Sequence, residues 1–254
     1  MVHVPTYLRG LWGAILARAE EGGWDAAWVF TDDQLDLSDY DAVVLAAGSG
    51  LVSDGILTDG DGGPPGLPAQ LVRGQSVEIS HDVGVGDGAS PPPNEAFLCG
   101  KYVAPIPDAS GAGRPSFVVG ATHEFGDGAM AHDEVAEEMR TRTSDFAPPS
   151  LWEGGRVDRI TEGCRVQSNR GRFGRMPMVG RLDRDDVGLT SAIDHDNLWL
   201  FTGLSSRGLI YHGLFGRMIA EAIEEGDEGA IRREFEGFDW WKKGVKKAEK
   251  DVNT

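Results

Sequence analysis

Cationic residues are scarce in this chain: 24 Lys and Arg stand against 41 Asp and Glu, for a net charge of −17. A surface of that sign repels phosphate backbones and anionic lipids, which disfavours direct nucleic-acid binding. Two local clusters are exceptions. Arg165, Arg170, Arg172 and Arg175 crowd one segment; Lys242, Lys243, Lys246, Lys247 and Lys250 crowd the end, where they read as a solvated helix face. Cysteine is nearly absent as well. Cys99 and Cys164 lie far apart, match no CxxC or metal spacing, and suit a reducing intracellular compartment, cytoplasmic or organellar. The six histidines include no HxH or HExxH, so the spacing proposes no metal site. No run approaches the roughly 20 consecutive apolar residues of a membrane span. The opening Met1-Val-His-Val-Pro5 lacks the basic and apolar regions of a secretory leader.

What is present is a globular composition. The 254 residues, 40% hydrophobic and 26% charged, suffice for one large domain or two lobes with cores of their own. Pro5 opens a helix with Leu8, Leu11, Trp12, Ile15, Leu16 and Ala19 on one face, and Gly22-Gly23 ends it. Trp28-Val29-Phe30 reads as a short strand. The run Tyr40-Asp-Ala-Val-Val-Leu-Ala-Ala-Gly48 reads as a strand buried on both faces of a parallel sheet.

From about residue 70 the texture changes to short alternating strands separated by turns, the mark of an antiparallel sheet. Residues 130–142 form an acidic helix, 156–181 are strand-like and arginine-rich, and 197–225 return to the α/β texture of the start. The fold class is therefore α/β with an α+β character, one lobe inserted in another. Residues 1–69 and 160–226 would make the first lobe, 70–159 the inserted one, and 227–254 a charged tail whose Trp240-Trp241 pair can dock on the body. The cleft between lobes is then the default ligand site.

The segment Leu198–Ile223 carries the most information. A buried strand leads into a Gly/Ser turn and then a helix with Tyr211, Leu214, Phe215, Met218, Ile219, Ala222 and Ile223 on one face. Gly203, Ser205, Ser206 and Gly208 are small enough to let a planar ligand approach the backbone. The helix start adds unpaired N–H groups and a positive dipole end, which suits a phosphate, a carboxylate or an electron-rich ring. The plainer alternative is a strand-turn-helix whose glycines serve only packing.

The ordered set Tyr40–Gly48, Val72-Arg-Gly-Gln75, Leu98-Cys-Gly-Lys-Tyr-Val-Ala-Pro105, Val119-Gly-Ala121, Gly163-Cys-Arg165, Met176-Pro-Met-Val-Gly180 and Gly203–Leu209 resembles the D-amino-acid-oxidase and glycine-oxidase-like family of FAD-dependent oxidoreductases. Within it, the likeness is to the oxidoreductase domain of the bifunctional enzymes of tRNA 5-methylaminomethyl-2-thiouridine biosynthesis. The resemblance spans residues 3 to 226 and implies FAD as cofactor and a small-molecule amine, amino-acid-like or N-substituted glycine-like, as substrate.

By that resemblance Ala47 and Gly48 would lie beside the FAD, and Gly203, Ser205, Ser206, Arg207, Gly208 and Leu209 would meet the pyrimidine edge of its isoalloxazine ring. Reduction places negative charge there, which a helix N-terminus stabilises. Arg207 either adds to that stabilisation or is a surface arginine at a turn. Tyr102 and Arg165 would face the substrate, and Arg165 or Arg170 would grip a carboxylate unless they pair with surface carboxylates. Hydride transfer to the flavin requires positioning more than a dedicated acid or base, so no catalytic residue is assigned.

The sequence also departs from the family. Such a flavoprotein opens with a strand, a GxGxxG turn and a helix. Here the nearest string, Gly84-Val-Gly-Asp-Gly88, sits in a polar loop, and Gly174 stands where an acidic residue is expected before Pro177. The expectation is an incomplete Rossmann-like lobe: a truncated enzyme, a chain whose nucleotide-binding segment comes from a separate polypeptide, or a non-catalytic interaction domain of the same fold. An incomplete parallel sheet would leave an exposed edge.

Overall fold

A computed structural model describes residues 4–27, 36–53, 56–57, 67–82, 95–107, 114–126, 128–182 and 195–242. The sequence strand at Trp28–Phe30, the Gly84–Gly88 string and the last lysines lie outside them. The chain divides into two compact units. The first comprises Met1–Gln34, Arg73–Glu124 and Gly128–Gly163; the second comprises Leu35–Val72, Phe125–Asp127 and Cys164–Thr254. Elements are numbered in chain order.

The opening helix α1, Val4–Gly22, forms where its capping pattern predicts. Its apolar face does not bury: Leu8 is 55% exposed, Leu11, Ile15 and Leu16 are also exposed, and only Ala19 is buried. Periodicity makes the helix amphipathic but supplies no surface for it to cover.

In the first unit, an antiparallel sheet carries the core. Strands β2 (Ala69–His81), β3 (Phe97–Cys99), β4 (Lys101–Ile106), β5 (Ser116–Gly120) and the two-residue β6 (Glu124–Phe125) follow the order β3-β4-β5-β2-β6, and β7 (Gly155–Ser168) also pairs with β2. β2 and β7 each run on into the second unit. Val77 faces Val119, which faces Val103, and the three side chains stack in one buried row. Helix α3, His132–Thr143, adds Val135 and Met139 to the same core. Glu134 accepts the Ala131 N–H at 3.3 Å, which closes the helix start, and Arg140 and Arg142 in the last turn complement the dipole.

In the second unit, three strands follow the order β1-β9-β8. β1 (Val43–Leu45) runs parallel to β9 (Leu198–Thr202), and β8 (Met178–Arg181) runs antiparallel to it. The alternation of β9 feeds two cores. Leu198, Leu200 and Met178 join Leu45, Leu51 and Trp241 in one; Trp199 and Val179 join Phe215, Met218, Ile219 and Ala222 of helix α4, Gly208–Glu225, in the other. α2, Gly50–Ser53, is a single turn after β1, and α5, Gly229–Glu234, follows the left-handed Gly226 that ends α4.

Two sequence expectations change here. The strand at 40–48 is not buried on both faces: it shortens to three residues, at the edge of the sheet among the described residues, and Val44 is 39% exposed. An apolar run reports what a strand can bury, whereas burial also requires a neighbour on each side. The segment after 226 is not wholly a charged tail. Ala230, Ile231, Phe238 and Trp241 are buried, and Trp241 donates its indole N–H to the Val179 carbonyl at 3.2 Å. Lys242 is drawn in with them, pairing with Glu228 at 2.9 Å.

Candidate functional site

β1 and β9 run parallel with Leu45 level with Leu200, so Ala47-Gly48 and Thr202-Gly203 leave the sheet at the same edge. Ligands of α/β folds collect beyond the C-terminal ends of parallel strands, because there the chain turns into helices whose first N–H groups point outward. At Gly48 the backbone has φ +57°, and Gly50 and Leu51 N–H groups return to the Ala47 and Gly48 carbonyls.

The turn after β9 is tight. Gly203 has φ +73°, and a Cβ there would sit 3.0 Å from Met178 Cε, so glycine is required on both counts. Ser205, at φ 54°, is the only non-glycine residue with a positive φ among the described residues. A 3-10 turn, Ser205–Arg207, then feeds α4 directly. No side chain caps the start of α4, and a Cβ added at Gly208 would meet nothing within 4 Å. The helix start is therefore uncapped and open, as an acceptor site needs.

Arg207 is exposed and held along the helix: Nη1 donates to the Tyr211 hydroxyl at 2.8 Å, and its guanidinium lies 5.9 Å from the Tyr211 ring centre. Ser206 and Leu209 are exposed, while Ser205 and Gly208 are half-buried.

The arginines differ. Arg165 is half-buried near the end of β7, and Arg170 is exposed beyond it. Tyr102 belongs to the first unit, whereas every other predicted site residue belongs to the second. Its hydroxyl lies 3.0 Å from Ser76 Oγ, reaching across Gly120 on the strand between them, where a Cβ would collide with both oxygens. Beside it, Lys101 donates to the Ala121 carbonyl, and burial holds its ammonium below the ordinary lysine range, aided by Arg142.

Sequence reasoning passed over the polar residues around the turn. Gln167, Ser168 and Thr202 are buried, and Gln167 Nε2, Ser168 Oγ and Thr202 Oγ1 have no hydrogen-bond partner among the described residues. An isolated antiparallel bridge sets Gln167 opposite Leu204, inside the turn. The signal available was polarity at the inner ends of strands that are otherwise apolar, which resembles an ordinary strand exit.

Among the described residues no group of three or more His, Cys, Asp or Glu is arranged to hold a metal ion, both cysteines are free, and no helix is long and apolar enough to cross a membrane.

No curated protein matches the chain. In solved structures it is similar to glycine oxidase from Geobacillus kaustophilus, at 19% identity and TM-score 0.44 over 72% of this chain and 41% of that one. It is also similar to iminodiacetate oxidase from Chelativorans sp. BNC1, at 20% identity and TM-score 0.45 over 74% of this chain and 43% of that one. Against glycine oxidase from Bacillus cereus the figures are 18% and 0.46, covering 65% of this chain and 38% of that one. The chain thus spans about two fifths of the length of these structures. The model of the family described as FAD dependent oxidoreductase matches residues 13–222, most of the sequence and the whole of the turn, and the chain belongs to that family.

Proposed function

We propose that this chain is the flavin-edge and substrate-facing portion of an FAD-dependent oxidoreductase acting on a small amine. The observation that carries the reading is the Gly203–Gly208 turn. It places an uncapped helix start at the sheet edge where Ala47-Gly48 also emerges. Family membership adds the cofactor class.

The residues present suit the ring end of FAD. Open space at Gly208, positive-φ backbone at Gly48 and Gly203, and unsatisfied buried polar atoms beside the turn suit a thin heterocycle with polar edge atoms. The dinucleotide end is different, since the sequence holds no GxGxxG string to cradle a pyrophosphate. Bound flavin supplies the acceptor for a hydride from the carbon next to the amine nitrogen, which becomes an imine. The protein's part is positioning. The helix start of α4 would stabilise negative charge on the ring edge, Arg207 would add to the local field, and Arg165 or Arg170 would hold a substrate carboxylate by its paired N–H groups. An RNA substrate is not part of this reading, because the net charge of −17 offers RNA little attraction.

Titrating the purified chain with FAD and recording the visible spectrum tests the proposal. A perturbed flavin spectrum that saturates, followed by bleaching on addition of small secondary amines or amino acids, is the expected result. No spectral change at millimolar FAD would favour a non-catalytic domain of the same fold, or one that needs a separate chain for the nucleotide.

A further inference from the structure

Polar atoms buried without partners are rare in folded proteins, because each loses its bond to water and gains nothing in return. The second unit gathers three of them around one turn. Gln167, Ser168 and Thr202 are 5%, 0% and 3% exposed, and Gln167 Nε2, Ser168 Oγ and Thr202 Oγ1 find no acceptor or donor among the described residues. Two registers hold them in place. The bridge of Gln167 to Leu204 brings the end of β7 against the turn, and the pairing of Met178 with Thr202 closes the other side. The neighbouring Ser168 carbonyl is already taken by Arg175 Nη1 at 2.7 Å, so the strand end is anchored while its side chains are not satisfied.

From this arrangement we infer that Gln167, Ser168 and Thr202 form a polar seat for the imide edge of a flavin ring, the carbonyl–NH–carbonyl sequence of its pyrimidine half. The inference rests on the flavin reading and names the side chains that would complete it. An amide and two hydroxyls offer neutral donors that also accept, which matches an edge alternating acceptor, donor, acceptor. A phosphate is a poorer match. It requires free positive charge, whereas the three side chains are neutral, Arg175 beside Ser168 gives Nη1 to its carbonyl, and Arg207 is committed to Tyr211 on the exposed side of α4. The adjacent Gly208, where a Cβ would meet nothing within 4 Å, leaves the ring room to lie against the backbone. The seat therefore acts on binding and orientation of the ring, and its three residues are positioning residues.

The test uses the full chain and lumiflavin, which is the ring system without ribityl or nucleotide, so that binding does not depend on a glycine-rich pyrophosphate cradle. Flavin fluorescence quenching gives the affinity, and thermal denaturation without ligand gives the stability. Thr202→Val and Gln167→Leu should each weaken lumiflavin binding about tenfold while leaving the melting temperature of the unliganded chain unchanged or higher, because a buried group without a partner has been removed. Lumiflavin methylated at N3, which blocks the imide edge, should bind wild type about tenfold more weakly than lumiflavin itself, and this arm does not depend on any variant folding. Variants and methylated ring that bind like their parents would overturn the seat and leave the flavin reading standing. A wild-type chain that binds neither lumiflavin nor FAD would overturn both. A clear drop in melting temperature on Thr202→Val without loss of flavin affinity would show that the hydroxyl is a structural bond, and the seat would be wrong.

Discussion

Gly203 and Met178 approach so closely that a single added carbon at Gly203 would sit 3.0 Å from the methionine methyl and 3.3 Å from its backbone nitrogen. The start of β8 thereby forms one wall of the turn that leads into α4.

That contact, with φ +73° at the same residue, predicts a cost for any side chain. Gly203→Ala should destabilise the chain by about 1–2 kcal/mol, from the left-handed backbone alone. Ser205 gives the opposite sign. It already holds a positive φ of 54°, so Ser205→Gly should stabilise by about 0.5–1 kcal/mol, the strain relieved less the added chain entropy. Urea denaturation of both variants checks the pair; equal effects of one sign would contradict the backbone geometry.

Trp241 tests whether the chain beyond residue 226 is part of the fold. It is fully buried and its N–H is bonded to Val179, so Trp241→Ala should cost about 3–5 kcal/mol. A loss below about 1 kcal/mol, measured the same way, would mean the segment is dispensable.

Acid sensitivity follows from Asp158. The Ser80 hydroxyl is the main influence holding its carboxyl below the usual aspartate value of 3.8, with Arg156 adding to it. A depressed carboxyl contributes stability that is full above the unfolded value and is lost as pH falls through the folded one. Ser80→Ala should therefore lower the denaturation midpoint at pH 6 and narrow the gap to wild type near pH 3. A gap that stays constant between these pH values would exclude the linkage.

The edge strand predicts association. Val44 is exposed on β1, whose single neighbour among the described residues is β9, so among those residues one row of backbone donors and acceptors is open. Val44→Lys should shift a concentrated sample toward monomer in size-exclusion chromatography with a stability change within about 0.5 kcal/mol.

Local pattern was legible in the sequence where the chain carries its own context. The strand, turn and helix of 198–225 follow from period-two and 3.6-residue spacing plus glycine positions, and the antiparallel β2–β5 region follows from alternation broken by turns. Burial was less legible, because it depends on a partner. Val44 and the face of α1 are apolar and exposed, while Gln167, Ser168 and Thr202 are polar and buried. In each case hydrophobicity points the wrong way. The candidate ring-contacting residues Ala47, Gly48 and Gly203–Leu209 were named from motif order, and the polar trio beside them was missed because no local pattern distinguishes it from a strand exit.

The two indoles at the chain's end give this protein an optical reporter. Trp240 donates to the Pro177 carbonyl at 3.1 Å and Trp241 to Val179, so they bracket Met178, the residue pressed against Gly203. Whatever slides into that bend and nudges its wall will change the polarity around both emitters. A ring that absorbs in the near ultraviolet, where indoles emit, should also drain their light by energy transfer, making occupancy readable without a label.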